Sequence, residues 1–151
     1  MLHEKKLEIF IECVERYFTK VNNTGVTIGT PYIVENSTPA AHDMTGIIGV
    51  SGPYKGCVYY TAPKVLLTHL LASIGENDFS EANVRDLIGE ITNIIAGNAR
   101  EEFGKEFMIS VPVVISGTPD NIQLPQGARS FVIPIHWKSY ESLLVVSLIA
   151  D

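Results

Sequence analysis

Twice along this 151-residue chain a helix-length amphipathic segment is followed by three strand-like runs, and that order limits the available folds more than any composition does. In the first half Leu7, Ile11, Val14 and Phe18 recur at helical spacing, which predicts a helix over 4–21. Val26–Glu35, Asp43–Ser51 and Gly56–Thr61, rich in Val, Ile, Tyr and Thr, predict three strands after it. In the second half a helix over about 80–103 precedes strands over Phe107–Ser116, Arg129–Lys138 and Ser142–Ala150. A further apolar helix, from Pro63 to Ile74, lies between the halves, with Gly75 as its stop. Pro31 and Pro112 take similar places after their helices, so the chain reads as an internal pseudo-repeat of about 81 residues. Strands alternating with polar residues and joined mostly by short turns predict an antiparallel sheet of about six strands with three helices on one face. The expected fold class is α+β, one domain over 1–151.

The punctuation agrees with those bounds. Asn22-Asn-Thr-Gly25 ends the first helix, Gly52-Pro53 turns the chain between strands, and Gly104 closes the long helix. Asp78 or Ser80 can cap that helix, and Asp78 with Glu81 has the spacing of a capping box. Gly117–Gly127 reads as a loop and Lys138–Glu141 as a tight turn.

With 46% hydrophobic residues, the chain can bury a sizeable core without a disulfide or metal. A formal charge of -6 and the lack of a Lys/Arg cluster argue against nucleic acid, which demands a basic footprint. No apolar run is long enough for a membrane span and the N-terminus lacks the pattern of a secretory signal, so a cytoplasmic protein is expected. Cys13 and Cys57 are then expected to be buried thiols. His3, His42, His69 and His136 are dispersed without ligand spacing, which predicts surface or satisfied core roles rather than a metal site. Gly46, Gly49, Gly52 and Gly56 resemble a phosphate loop only in composition; without the Lys and a following helix, strand and turn roles are expected.

Chemistry concentrates in the long helix. Asp86, Glu90, Asn93 and Gly97 fall within about 60° of one another around its axis. Val84, Ile88, Ile91, Ile95 and Ala99 lie roughly opposite, giving a core side. A polar stripe of this kind is compatible with a merely solvated face. Gly89 and Gly97, each costing about 1 kcal/mol against alanine, point instead to the close approach of another surface.

The run Asp86-Leu-Ile-Gly-Glu90-Ile-Thr-Asn93-Ile-Ile-Ala-Gly97-Asn-Ala resembles the signature helix of the CheC/CheX/FliY family of chemotaxis phosphatases, which dephosphorylate the response regulator CheY. Gly46-Ile-Ile-Gly49-Val-Ser-Gly52, Gly56-Cys-Val-Tyr-Tyr and the helix after Pro63 resemble, more weakly, the elements preceding it. One Glu-x-x-Asn copy and the short length place the resemblance closer to CheX than to CheC, which carries two. Aligned at an offset of 81, Glu90 and Asn93 fall on Ile9 and Glu12, and at 82 on Glu8 and Ile11, so the first half lacks the pair.

The resemblance implies a CheX-like fold and a phosphatase acting on the aspartyl-phosphate of a CheY-like response regulator. It implies catalytic roles for Glu90 and Asn93, with Asp86, Gly89 and Gly97 docking the partner. It implies no cofactor of the chain's own, Mg²⁺ on the partner regulator, and a homodimer. The alternative on the same fold is a non-catalytic receiver-binding or flagellar-switch interaction module.

Overall fold

The computed structural model describes residues 4–22, 26–36, 40–117, 124 and 129–150. Three helices, α1 (Glu4–Asn22), α2 (Lys64–Ser73) and α3 (Glu81–Phe103), pack on a sheet of eight strand segments. These are β1 (Val26–Ile28), β2 (Tyr32–Glu35), β3 (Met44–Ser51), β4 (Tyr54–Ala62), β5 (Met108–Ile109), β6 (Val113–Ser116), β7 (Arg129–Trp137) and β8 (Tyr140–Ala150). All pairings are antiparallel, in the order β1-β7-β8-β4-β3-β5, with β2 beside β7 and β6 beside β3. The sheet therefore has the six positions expected from sequence, but the first strand of each half is broken in two.

Both breaks have the same cause. Between the pairs Ile28↔Ile135 and Tyr32↔Val132 the edge chain advances one residue more than β7, and between Ile109↔Val50 and Val113↔Ile47 it advances one more than β3. An extra residue on one strand of an antiparallel pair is a bulge. Pro31 and Pro112, which can donate no ladder hydrogen bond, sit just before the second segment of each edge. Gly29 N donates to Pro134 O at 2.9 Å, and Ser110 N to Gly49 O at 3.0 Å, the matching bond of the other half. The two halves exchange edges: β1 and β2 of the first pair with β7 of the second, and β5 and β6 of the second with β3 of the first. The pseudo-repeat is thus present in backbone geometry.

Helices cover one face only, as expected, but the other face is not polar. β4, β7 and β8 are buried over most of their length, on consecutive residues. Val58, Tyr60, Ile133 and Leu144 face the helices, while Cys57, Tyr59, Val132 and Val145 form a second core packed by Ala40, Ala41 and Leu124. The expected polar alternation fails because strands covered on both faces become continuously apolar. Crossing this reverse side, Tyr59 Oη donates to Ala40 O at 2.7 Å, and Thr61 Oγ1 accepts from His42 N at 2.7 Å.

The helix ends follow local chemistry. Ser80, not Asp78, caps α3, its Oγ accepting from Asn83 N, and Asp78 Oδ1 instead accepts from Ser80 N at 2.9 Å. For α2 the first N–H, on Lys64, is satisfied by Asp43 Oδ1 at 2.8 Å. Gly104, at φ 103°, closes α3 as expected. Both cysteines are free and buried. The segments 23–25 and 118–123, the N-terminal residues including His3, and the loop around Leu124 lie outside the described residues.

Candidate functional site

The apolar side of α3 is buried as its periodicity demands, with Val84, Ile88, Ile91, Ile95 and Ala99 all without exposed surface. Asp86, Glu90 and Asn93 are exposed along the opposite ridge, and Gly97 is half-buried with open space where a Cβ would stand. Gly89 departs from the expectation. It is buried, and a Cβ there would lie 3.3 Å from Val114 Cγ2, so this glycine serves packing against β6 and not an open docking edge.

Both ends of α3 are fastened. At its start Arg85 reaches the sheet edge, donating to Ser116 Oγ at 2.5 Å and Val114 O at 3.1 Å. At its end Arg100 donates to Phe107 O at 3.0 Å and Lys105 O at 3.1 Å. Phe103 stacks on Phe107 with ring centroids 4.6 Å apart, and Phe10 of α1 packs on it at 5.6 Å. Between these anchors Thr92, fully buried, donates to Ile88 O at 2.7 Å and faces Gly46 of β3. Gly46, read from sequence only as a strand glycine, lets the helix settle directly onto the sheet.

Tyr17 of α1 lies within electrostatic reach of Glu90. Burial, and secondarily the Glu90 carboxylate, push its hydroxyl well above the usual tyrosine range, so it stays protonated. Among the described residues no hydrogen bond occupies the Asn93 carboxamide, whose donor and acceptor both remain available. Sequence reasoning missed Arg85, Thr92, Gly46 and Tyr17, because their partners lie tens of residues away along the chain.

The matching place under α1 looks different. With helix and edge strand shifted by 81 residues, Leu7, Glu8 and Ile11 correspond to Ile88, Gly89 and Thr92, and Ile33 to Val114; Phe131 of β7 stands where β3 has Gly46. There Leu7, Glu8, Ile11, Pro31, Ile33 and Phe131 line an open cleft of about 330 Å³.

Among the described residues the histidines do not come together. His69 Nδ1 lies 3.2 Å from Tyr140 Oη and His136 3.8 Å from Glu141, whereas His42 Nε2 is buried without a hydrogen-bond partner among the described residues, so His42 is not the satisfied residue expected. Among the described residues no helix is long and apolar enough to cross a membrane, and no group of three or more His, Cys, Asp or Glu could hold a metal ion.

Comparison with known proteins bears on this geometry. Residues 44–136 match the family model described as chemotaxis phosphatase CheX. Comparison with curated proteins gives no match. A putative chemotaxis protein from Desulfovibrio vulgaris Hildenborough superposes with a TM-score of 0.83 at 25% identity, over 96% of this chain and 97% of that one. The chemotaxis protein CheX of Vibrio vulnificus gives 0.80 at 22%, over 96% and 99%. The fold is also shared, at 0.75 and 17% over 95% and 97%, with a chain of the CheX–CheY–BeF3–Mg²⁺ complex from Borrelia burgdorferi. With 93 of 151 residues inside the family model and the acid and amide on an exposed, fastened helix, the chain belongs to the CheX family of chemotaxis phosphatases.

Proposed function

We propose that this protein hydrolyses the aspartyl-phosphate of a CheY-like response regulator, using the exposed ridge of α3. One observation carries the reading: Glu90 and Asn93 stand exposed one turn apart on a helix fixed at both ends. The family model and the Borrelia burgdorferi complex, in which a CheX is bound to CheY, support the choice of partner.

An acyl phosphate is already reactive, so the protein need supply orientation rather than a nucleophile. Asn93 would enter the regulator's active site and hold a water in line with phosphorus through its carboxamide. Water attacks, the bond from phosphorus to the aspartyl oxygen breaks, and inorganic phosphate leaves with the aspartate restored. Glu90 would pair with the regulator's active-site lysine and set the depth of entry. Asp86 takes a lesser docking role at the start of the ridge, and Gly97 provides clearance. Mg²⁺ would reside on the regulator and neutralise the phosphoryl charge there. A homodimer belongs to the same proposal, supported by an apolar sheet edge at which Met108, Val111 and Val113 are 50%, 82% and 61% exposed.

The test is phosphate release from a phosphorylated receiver in Mg²⁺, comparing the wild type with Asn93→Ala and Glu90→Ala. Release that collapses in Asn93→Ala supports the reading. Binding without any accelerated release would assign an interaction module instead.

A further inference from the structure

The contact beneath the ridge assigns a role to a residue that touches no partner. We propose that Gly46 is a positioning residue: its bare backbone seats α3 through Thr92 and thereby sets the height at which Glu90 and Asn93 stand. This rests on the phosphatase reading above.

Glycine inside a strand weakens it, so its presence in β3 calls for a close neighbour. The neighbour is α3. A Cβ at position 46 would fall deep inside the Thr92 hydroxyl, 3.1 Å from Ile88 O and 3.2 Å from Thr92 Cβ. The hydroxyl is the obstacle that cannot give way, whereas the contacts at 3.1 and 3.2 Å ask for only a few tenths of an ångström. Ile88 O is helix backbone, and the fully buried Thr92 hydroxyl is held on that same carbonyl at 2.7 Å. Thr92 directly precedes Asn93 and lies two residues from Glu90, so the seat is under the turn that carries the pair.

The helix cannot relieve a push by sliding, because Arg85 ties its first turns to β6 and Arg100 with Phe103 ties its last turn to the segment around Phe107. A methyl at 46 therefore bows the middle of α3 outward. A near-attack geometry tolerates little of this, since a misplacement of about 1 Å can cost on the order of a hundredfold in rate. Gly49, on the same strand, is the internal control. A Cβ there meets only the Ser110 side chain, Oγ at 3.5 Å and Cβ at 3.9 Å, ordinary contacts, and no helix.

The experiment measures kcat and KM for phosphate release from a phosphorylated receiver in Mg²⁺, at a temperature well below unfolding, for Gly46→Ala, Gly49→Ala and the double variant Gly46→Ala with Thr92→Ala. The expected result is a loss of about tenfold or more in kcat for Gly46→Ala, none for Gly49→Ala, and substantial recovery in the double variant. Removing the side chain that the methyl strikes lets the helix sit down again. A merely structural role predicts the opposite, since two core substitutions would compound in lowering stability without restoring rate. Full kcat in folded Gly46→Ala, or no recovery in the double variant, overturns the proposal. Should Gly46→Ala not fold, Thr92→Val, which sets a methyl over the bare glycine, is the milder lift, and an unchanged kcat there overturns it equally. An inert wild type would sink the phosphatase reading and the seat together. A dead Asn93→Ala beside an unimpaired Gly46→Ala would sink the seat alone.

Discussion

The two halves of this protein have the same element order and the same bulge, yet their helices meet the sheet differently. Under α3 the sheet offers Gly46, and Thr92 descends onto it. Under α1 the corresponding position is Phe131, and a cleft of about 330 Å³ opens beside it. The edge contact differs in the same sense: Gly89 packs on Val114, whereas Glu8 and Ile33 border the cleft. The duplicated backbone sets where a helix lies, and one side chain beneath it sets how closely it lies. The half with the close seat is the half that carries the acid and the amide; α1 has Ile9 and Glu12 in their places.

The largest expected effect tests the cleft side. Phe131 is only 6% exposed, and Phe131→Ala should cost about 3 kcal/mol of stability in urea unfolding, by the usual scale for deleting a buried aromatic. Phosphatase activity of the folded fraction should survive, because the ridge of α3 does not rest on that ring. Equal loss of kcat would break the division into two independent seats.

Next comes the ridge itself. Asn93→Ala should lower phosphate release at least about tenfold, more than 1.4 kcal/mol of barrier. Glu12→Ala, the same deletion in the other half, should leave it unchanged, and a comparable loss there would mean that both helices act. Glu90→Ala should weaken receiver binding by about fivefold, measured as KM or by calorimetry, since an ion pair made by one solvent-exposed carboxylate contributes modestly.

A last prediction concerns alkali and reaches both cores. Burial raises the Cys13 thiol from 9.0 to about 11 and the Cys57 thiol from 9.0 to about 12. The folded state holds these protons more tightly than the unfolded chain does, so the stabilisation is complete below pH 9 and is lost as pH climbs through 11 and 12. Urea midpoints recorded from pH 8 to pH 11 should fall above pH 9, and less steeply after Cys13→Ala with Cys57→Ala. An identical slope in that variant would show that the thiols are not the titrating groups.

The six sheet positions, the three helices and the exposed ridge were legible because they follow local rules. Period 3.6 placed Val84, Ile88, Ile91, Ile95 and Ala99 on the buried side and left Asp86, Glu90 and Asn93 outside. The prolines at 31 and 112 announced the repeat, though not the bulges they accompany. Gly89 was misread, since a helical glycine signals close approach without saying by what, and here the visitor is Val114 from within. The polar alternation expected of the strands failed because nothing local reports that chain segments cross the reverse face of the sheet.

By itself the sequence determined the order of elements, the faces of each helix and the carboxylate and carboxamide that α3 presents, because backbone propensity and side-chain period are short-range properties. Tertiary structure alone decided that each half lends its edge to the other, that Asp43 caps α2 and that Thr92 rests on Gly46. Those contacts join residues far apart in the chain, and their tightness depends on packing to within a few tenths of an ångström, a scale at which interiors are close-packed and no residue pattern is informative.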